Sequence, residues 1–120
     1  MPNLFSKMAA IGNPIKLFGG GVQWKSLVSL FDVTRCMKFV AERDDIQREI
    51  FHLRNENMTV KDVAEICKEF VPALDVTETD DEIPNQGYTL SNQKLLNTGF
   101  EFRSNIREDI KGMIDAWSDI

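Results

Sequence analysis

Histidine occurs once in the 120-residue chain, at position 52, tyrosine once, at position 88, and cysteine twice, at positions 36 and 67. Each scarcity excludes a class of chemistry. Imidazole is the usual general base near neutral pH. His52 lies mid-strand in "EIFHLR", on the opposite face from Phe51 and Leu53, which is a surface position before it is a catalytic one. No pair of Cys or His residues has metal-ligand spacing. The acidic run Glu78, Asp80, Asp81, Glu82 lacks the alternating oxygen ligands and turn glycine of a calcium loop, so it reads as a solvated connection. Tyr88 is not followed four residues later by Lys, and no serine sits in a Gly-x-Ser-x-Gly turn. Cys36 and Cys67 fall on apolar positions of expected helices, where thiols act as small reduced hydrophobes rather than as a disulfide.

Long apolar runs are missing as well. No stretch approaches the roughly 20 residues that cross a bilayer, and the N-terminal apolar patch is broken by Gly12 and Pro14. The expectation is a cytoplasmic protein with no membrane contact. Basic clusters are absent too: 14 Lys and Arg against 19 Asp and Glu leave a net charge of −5, which gives nucleic acid no footprint. With 42% apolar residues the chain can close one hydrophobic core, and residues 1–120 are expected to form a single domain.

What is present alternates between short strands and helices. Asn3 is a candidate cap for a helix from Leu4 to about Ala10, ended by Gly12. "IKLF" (15–18) alternates as a strand, the Gly19–Gly21 run demands a turn, and "SLVSLF" (26–31) reads as the next extended segment. Asp32 is the expected N-cap of a helix to about Glu42, with Val33, Cys36, Met37 and Val40 on one face. Glu49–Arg54 alternates as a strand, "NENMTVKD" reads as loop, and Thr59 with Asp62 resembles a capping box before the stripe Val63, Ile66, Cys67, Phe70. Pro72 closes that helix, Leu74–Thr79 can form a strand, and "DDEIPNQG" is a polar connection. Ser91 is expected to cap a short helix stopped by Gly99, Phe100 and Phe102 to lie extended, and Ser104 to cap a last helix carrying Ile106, Ile110, Met113, Ile114 and Trp117. The fold class is therefore α/β (α+β), short strands with about five helices.

The order of these motifs is informative. "GNPIKLFGGG", "VSLFDVTRCMKFV", a strand with "MTVKDVAEICKEF", and "SNQKLLNTGFEFRSNIREDIKGMIDAW" together resemble the C-terminal, substrate-binding part of the extended short-chain dehydrogenases, the NAD-dependent nucleotide-sugar epimerase/dehydratase family. In that family the Gly-x-x-Gly-x-x-Gly loop and the Tyr-x-x-x-Lys pair lie in an N-terminal Rossmann domain. Neither is in this sequence, so the resemblance implies a fragment, an alternative start or a stand-alone remnant. NAD would belong to the intact family enzyme, with no cofactor and no metal bound by this chain alone. The triple glycine fails as a dinucleotide loop in its own right, being followed by a strand-like run rather than a helix.

Carried over by position, the resemblance places Lys16, Leu17 and Phe18 on the strand that flanks a substrate nucleobase, with backbone groups meeting its edge and Phe18 packing nearby. An ordinary strand with Phe18 in the core is the equal alternative. Lys25, seven residues before Asp32, stands where relatives carry an Arg that clamps the diphosphate, and Asn85 and Gln86 fall near the family's late Arg-x-Gly-Asp element. A lysine neutralises phosphate as a point charge without the bidentate fork, and two amides do not replace a guanidinium. The expected ligand is a nucleotide sugar. The expected partners are a missing Rossmann half or a second copy, through apolar residues around Val33, Met37 and Val40. The competing expectation, from a different class, is a non-catalytic interaction module derived from such an enzyme.

Overall fold

A proline at the first helical position costs nothing, because its missing N–H has no intrahelical acceptor there. Pro2 accordingly opens the first helix, two residues before Leu4, in the computed structural model, which describes residues 1–120. The elements run α1 (Pro2–Ile11), β1 (Ile15–Leu17), a 3₁₀ turn (Phe18–Gly21), β2 (Trp24–Leu27), α2 (Leu30–Ala41), β3 (Glu56–Thr59), α3 (Val60–Phe70), β4 (Val76–Glu78), α4 (Gln93–Leu96) and α5 (Ile106–Ser118). Five helices and four short strands make the mixed class expected from the sequence.

The strands form two separate ribbons. β1 and β4 pair in parallel, with Ile15 opposite Val76 and Leu17 opposite Glu78. β2 and β3 pair antiparallel, with Trp24 opposite Thr59 and Leu27 opposite Glu56. The main core lies where α1, α3, α5 and β1 meet: Phe5, Ala9, Ile15, Leu17, Val63, Cys67, Ile110 and Ile114 are all buried in it. A second, smaller cluster gathers Cys36, Leu95 and Phe100, with Phe39, Val40, Phe51, Leu53 and Phe102 around it. Phe100 meets Phe39 and Phe102 edge to face at centroid distances of 5.4 and 5.1 Å. The two thiols thus sit in different clusters, and burial pushes that of Cys67 up to about 11 against a lowering hydrogen bond with Ser6. A two-cluster molecule is extended: the radius of gyration is 16.5 Å, where a compact chain of this length has about 14 Å, and the thinnest dimension is 17 Å.

One buried carboxylate joins the small cluster to the chain entering α5. Asp32, with no exposed surface, accepts backbone N–H bonds from Arg103 at 3.1 Å and Ser104 at 3.0 Å and a guanidinium bond from Arg35 at 2.7 Å. Burial raises its pKa, but the Arg103 and Ser104 amides and the Arg35 side chain outweigh burial and hold the carboxyl below the usual 3.8. Close by, Ser29 Oγ donates to Asp109 Oδ1 at 3.3 Å, while Asp109 Oδ2 is buried with no partner. Burial pushes the Asp109 carboxyl up and the charges of Asp32 and Glu56 push it further, the Ser29 bond opposing them.

Several local expectations change in the structure. The N-cap of α2 is Ser29, whose side chain accepts from Phe31 N–H, so the helix starts at Leu30 and Asp32 is freed for its long-range role. The strand in this region is Trp24–Leu27, which shares only Ser26 and Leu27 with the expected 26–31. "NENMT" pairs with β2 as β3, whereas Glu49–Arg54 joins no sheet. Asn105, not Ser104, caps α5 by accepting from Glu108 N–H at 2.8 Å, while the Ser104 amide donates to Asp32. Neither Asn3 nor Ser91 is an N-cap; Met1 and Asn92 hold those positions without side-chain bonds. Gly99 lies two residues beyond the α4 C-cap Asn97, in the left-handed region at φ 95°. Met37 is 67% exposed, so the buried side of α2 runs through Cys36 and the half-buried Val33 and Val40. The Thr59–Asp62 capping box forms in both directions, at 3.1 and 2.8 Å.

Asp32→Ala removes the acceptor from two buried amides and a guanidinium and is expected to cost about 3 to 5 kcal/mol in denaturant unfolding. Because its folded pKa is depressed, this contribution is present above pH 3.8 and fades as pH falls below it, an acid limb the variant lacks. Asp109→Asn carries the opposite sign. Its raised pKa means that stability is greatest with the carboxyl protonated and is lost as pH rises, so the amide should melt higher than the parent at pH 7 and no higher at a pH below 3.8.

Candidate functional site

Ile15 N–H donates to Asp75 O and Leu17 O accepts from Thr79 N–H, so both residues turn their peptide groups toward β4. Alternation then directs the peptide N–H and C=O of Lys16 to the other edge of β1. The Lys16 side chain is exposed, Phe18 is 57% exposed, and Leu17 is buried in the main core at 1%. Phe18 is thus a surface aromatic, and Leu17 can offer a ligand no side chain.

The polypeptide turns sharply after Phe18 through Gly19 and Gly20, at φ 59° and 79°. A β-carbon on Gly19 would stand 2.4 Å from Ile83 side-chain atoms and 2.8 Å from Asp81 O, so the acidic connection rests directly on the glycine turn. That connection continues to β2. Trp24 N–H donates to Gln86 O at 3.0 Å, and Gly87 forms a parallel bridge with Trp24. Asn85 Oδ1 accepts from Gly87 N–H at 2.7 Å and shapes this turn, leaving its amide NH₂ outward. Lys25, exposed on β2 opposite Met58, follows the residue that Gln86 binds. Residues 81–87 thus form a rim against the glycine turn and the start of β2, with Asn85 and Gln86 on it, Phe18 before the turn and Lys25 next to Trp24, while Lys16 lies exposed on β1.

The electrostatics of this rim are divided. A cleft of about 380 Å³ beside Gly19 and Gly20 is bounded by Glu78, Asp80 and Asp81, and Lys61 is paired with Glu78 at 2.9 Å. Carboxylates there suit hydroxyl donors and repel phosphate. The triple glycine leads into an extended strand, so no helix N-terminus stands ready for a pyrophosphate, and the chain's own residues do not fit a dinucleotide. No group of three His, Cys, Asp or Glu side chains is placed to hold a metal. No helix is long and apolar enough to cross a membrane. His52 is exposed, outside any strand and away from this rim.

Two hollows elsewhere carried no signal in the sequence. One of about 570 Å³ lies against α2, between Phe31, Arg35 and Lys38 on the helix and Glu101 and Arg103 beyond it. Another of about 500 Å³ lies between α1 and α5 beneath Leu27–Leu30 and includes Asp109. Both are built by segments about 70 to 80 residues apart, as the Asp32 and Asp109 bonds illustrate.

The arrangement has close parallels among solved structures. The UDP-glucose 4-epimerase of the hyperthermophilic eubacterium Thermotoga maritima, determined with UDP-glucose, matches 97% of this chain at a TM-score of 0.80 and 18% identity, over 38% of its own length. The chain folds as one part of that epimerase does. It has the mixed α/β fold of the C-terminal subdomain of these enzymes. The UDP-glucose 4-epimerase of Thermus thermophilus in complex with NAD matches 97% of the chain at a TM-score of 0.76 and 18% identity, over 39% of its length. Pal from Bacillus thuringiensis does so at 0.79 and 12% identity, over 38%. The chain thus spans about two fifths of the length of these proteins. No family model and no curated protein matches the sequence.

Gly87→Ala tests how the rim is held. A β-carbon at position 87 would lie 2.2 Å from Trp24 O, and φ is 75°, so the substitution should cost about 2 kcal/mol in urea unfolding and release residues 84–90 to faster amide exchange. Gly12→Ala, with open space around it, is the comparison and should cost less.

Proposed function

We propose that the chain is the substrate-binding portion of an NAD-dependent nucleotide-sugar epimerase or dehydratase, an isomerase-type enzyme of the cytoplasm, and that it is catalytically incomplete by itself. The observation that carries this reading is the match of 97% of the chain, at a TM-score of 0.80, to 38% of an epimerase determined with UDP-glucose. The rim supports it in chemical terms. The free peptide groups of Lys16 can meet the edge of a nucleobase, Phe18 can pack on its face, and Lys25 can neutralise phosphate. The acidic cleft at Gly19 takes hydroxyls, so the diphosphate belongs toward Lys25 and the Asn85 and Gln86 amides. NAD, held by a Rossmann half, would supply hydride transfer, and this chain's residues bind and orient the sugar nucleotide for it.

A non-catalytic interaction module of the same ancestry is the second reading, and the carboxylates beside the glycine turn favour it, since they weaken attraction for an anionic ligand. Titrating the purified chain with UDP-glucose, followed by amide chemical shifts, separates the two. On the first reading shifts concentrate at residues 16–18, 25 and 85–87, and Lys25→Ala weakens binding by about 1 to 2 kcal/mol. On the second no saturable shift occurs. Neither the parent nor the variant should convert the sugar when NAD is added.

A further inference from the structure

The hollow of about 500 Å³ between α1 and α5 combines an apolar wall with charge of one sign. Half of its lining residues are apolar, among them Leu27, Leu30, Met113 and Ala116, and its only charged ones are Glu108 and Asp109. No lysine or arginine lines it, and neither carboxylate belongs to an ion pair. Asp109 is the group the protein leaves unsatisfied. Its Oδ1 accepts one long bond, 3.3 Å, from the Ser29 hydroxyl, and its buried Oδ2 has no donor. The charges that bear on it, Asp32 and Glu56, are both negative. Asp32 is already engaged with Arg35 and two amides, and Glu56 accepts from Ile106 N–H, so Asp109 stands in their field without a counter-charge of its own.

A glycine keeps the space beside this carboxylate open. Gly112 follows Asp109 by three residues and Glu108 by four, hence on the same face of α5, in a helix interior where glycine is a poorer helix former than alanine. Nothing stands within 4 Å of the place a β-carbon would take, so no packing inside the protein requires its absence. Bare backbone there widens the hollow.

We propose that this hollow binds an organic ammonium, with an aliphatic body lying over Gly112, Met113 and Ala116 against Leu27 and a cationic head at the Asp109 carboxylate. Asp109 and Glu108 repel phosphates and carboxylates. A wholly apolar guest would cover the Asp109 carboxylate further and leave it unpaired, which costs free energy. An ammonium donates to it through charge-assisted bonds instead. The terminal torsion of an aspartate is broad and two-fold, so a turn about it presents either oxygen to the head group. This inference uses none of the rim residues and stands apart from the nucleotide-sugar reading.

Titrations of the purified chain with n-hexylamine, 1-hexanol and hexanoate at pH 8 and constant ionic strength, followed by amide chemical shifts, test it. The three compounds share a chain length and differ in the head group, and the amine is protonated at this pH, well below the roughly 10.4 of a lysine ammonium. Hexylamine should bind saturably, with shifts concentrated at residues 27–30 and 106–116, and about tenfold or more tightly than hexanol, while hexanoate should not bind. Asp109→Asn keeps the shape and removes the charge, and should bring the amine down to the affinity of the alcohol. Gly112→Leu suits a helix and has open space at its β-carbon, so it should fill the hollow and abolish binding of both compounds with an unchanged far-ultraviolet circular dichroism spectrum. Hexanol binding as tightly as hexylamine overturns the proposal, as does an amine affinity that survives Asp109→Asn. So do shifts spread over the acidic surface and reproduced by ammonium chloride, or the absence of any saturable shift in the parent.

Discussion

The buried carboxylate of Asp32 is the constraint on which the geometry of the smaller cluster depends. A charge without exposed surface is tolerated because three donors converge on it, two of them peptide amides from the entry to α5. Those bonds fix where Phe100 and Phe102 run, and with them the partners of Phe39 and Leu95. They also anchor the chain just before α5, whose first turn Asn105 caps. α5 then brings Ile106, Ile110 and Ile114 to the main core. One aspartate therefore sets the relation between two hydrophobic clusters that share no buried residue.

Helices with strong local signals were legible in the sequence, and elements stabilised by distant bonds were not. The Thr59-x-x-Asp62 box and the stripes Val63, Ile66, Cys67, Phe70 and Ile106, Ile110, Ile114 act within a few residues, so spacing reveals them. Ser29-x-x-Asp32 has the same spacing as Thr59-x-x-Asp62, yet Asp32 turns away from its own N-cap toward Arg103 and Ser104, and only the fold shows that choice. β3 escapes pattern reading for a related reason. Its Asn57 accepts from Ser26 Oγ and donates to Leu90 O, and its Glu56 accepts from Ile106 N–H, so a strand of polar residues is held by side-chain bonds rather than by apolar alternation. Glu49–Arg54 errs in the other direction, having alternation without a ladder.

Of the candidate site, sequence reasoning named individual residues and left their surroundings undescribed. Lys16, Phe18, Lys25, Asn85 and Gln86 are all exposed, and Phe18 is a surface ring rather than a core one. Leu17 belongs to the core. The carboxylates of Glu78, Asp80 and Asp81 are exposed, as a solvated connection should be, and the structure adds that this connection rests against the glycine turn at Gly19. Proximity of this kind is decided by a contact of about 60 residues' separation, which no local pattern encodes.

The docking of α1 against α5 has a consequence for how the molecule comes into being. Phe5 and Ala9 share their core with Ile110 and Ile114, so the apolar stripe of α1 is fully covered only once α5, about 100 residues further on, has been made. Until then α1 has α3 and β1 to pack on, and closure of the principal core waits for a contact of about 100 residues' separation. Such topology slows folding and leaves Phe5, Met8 and Ile15 open to chaperones during synthesis.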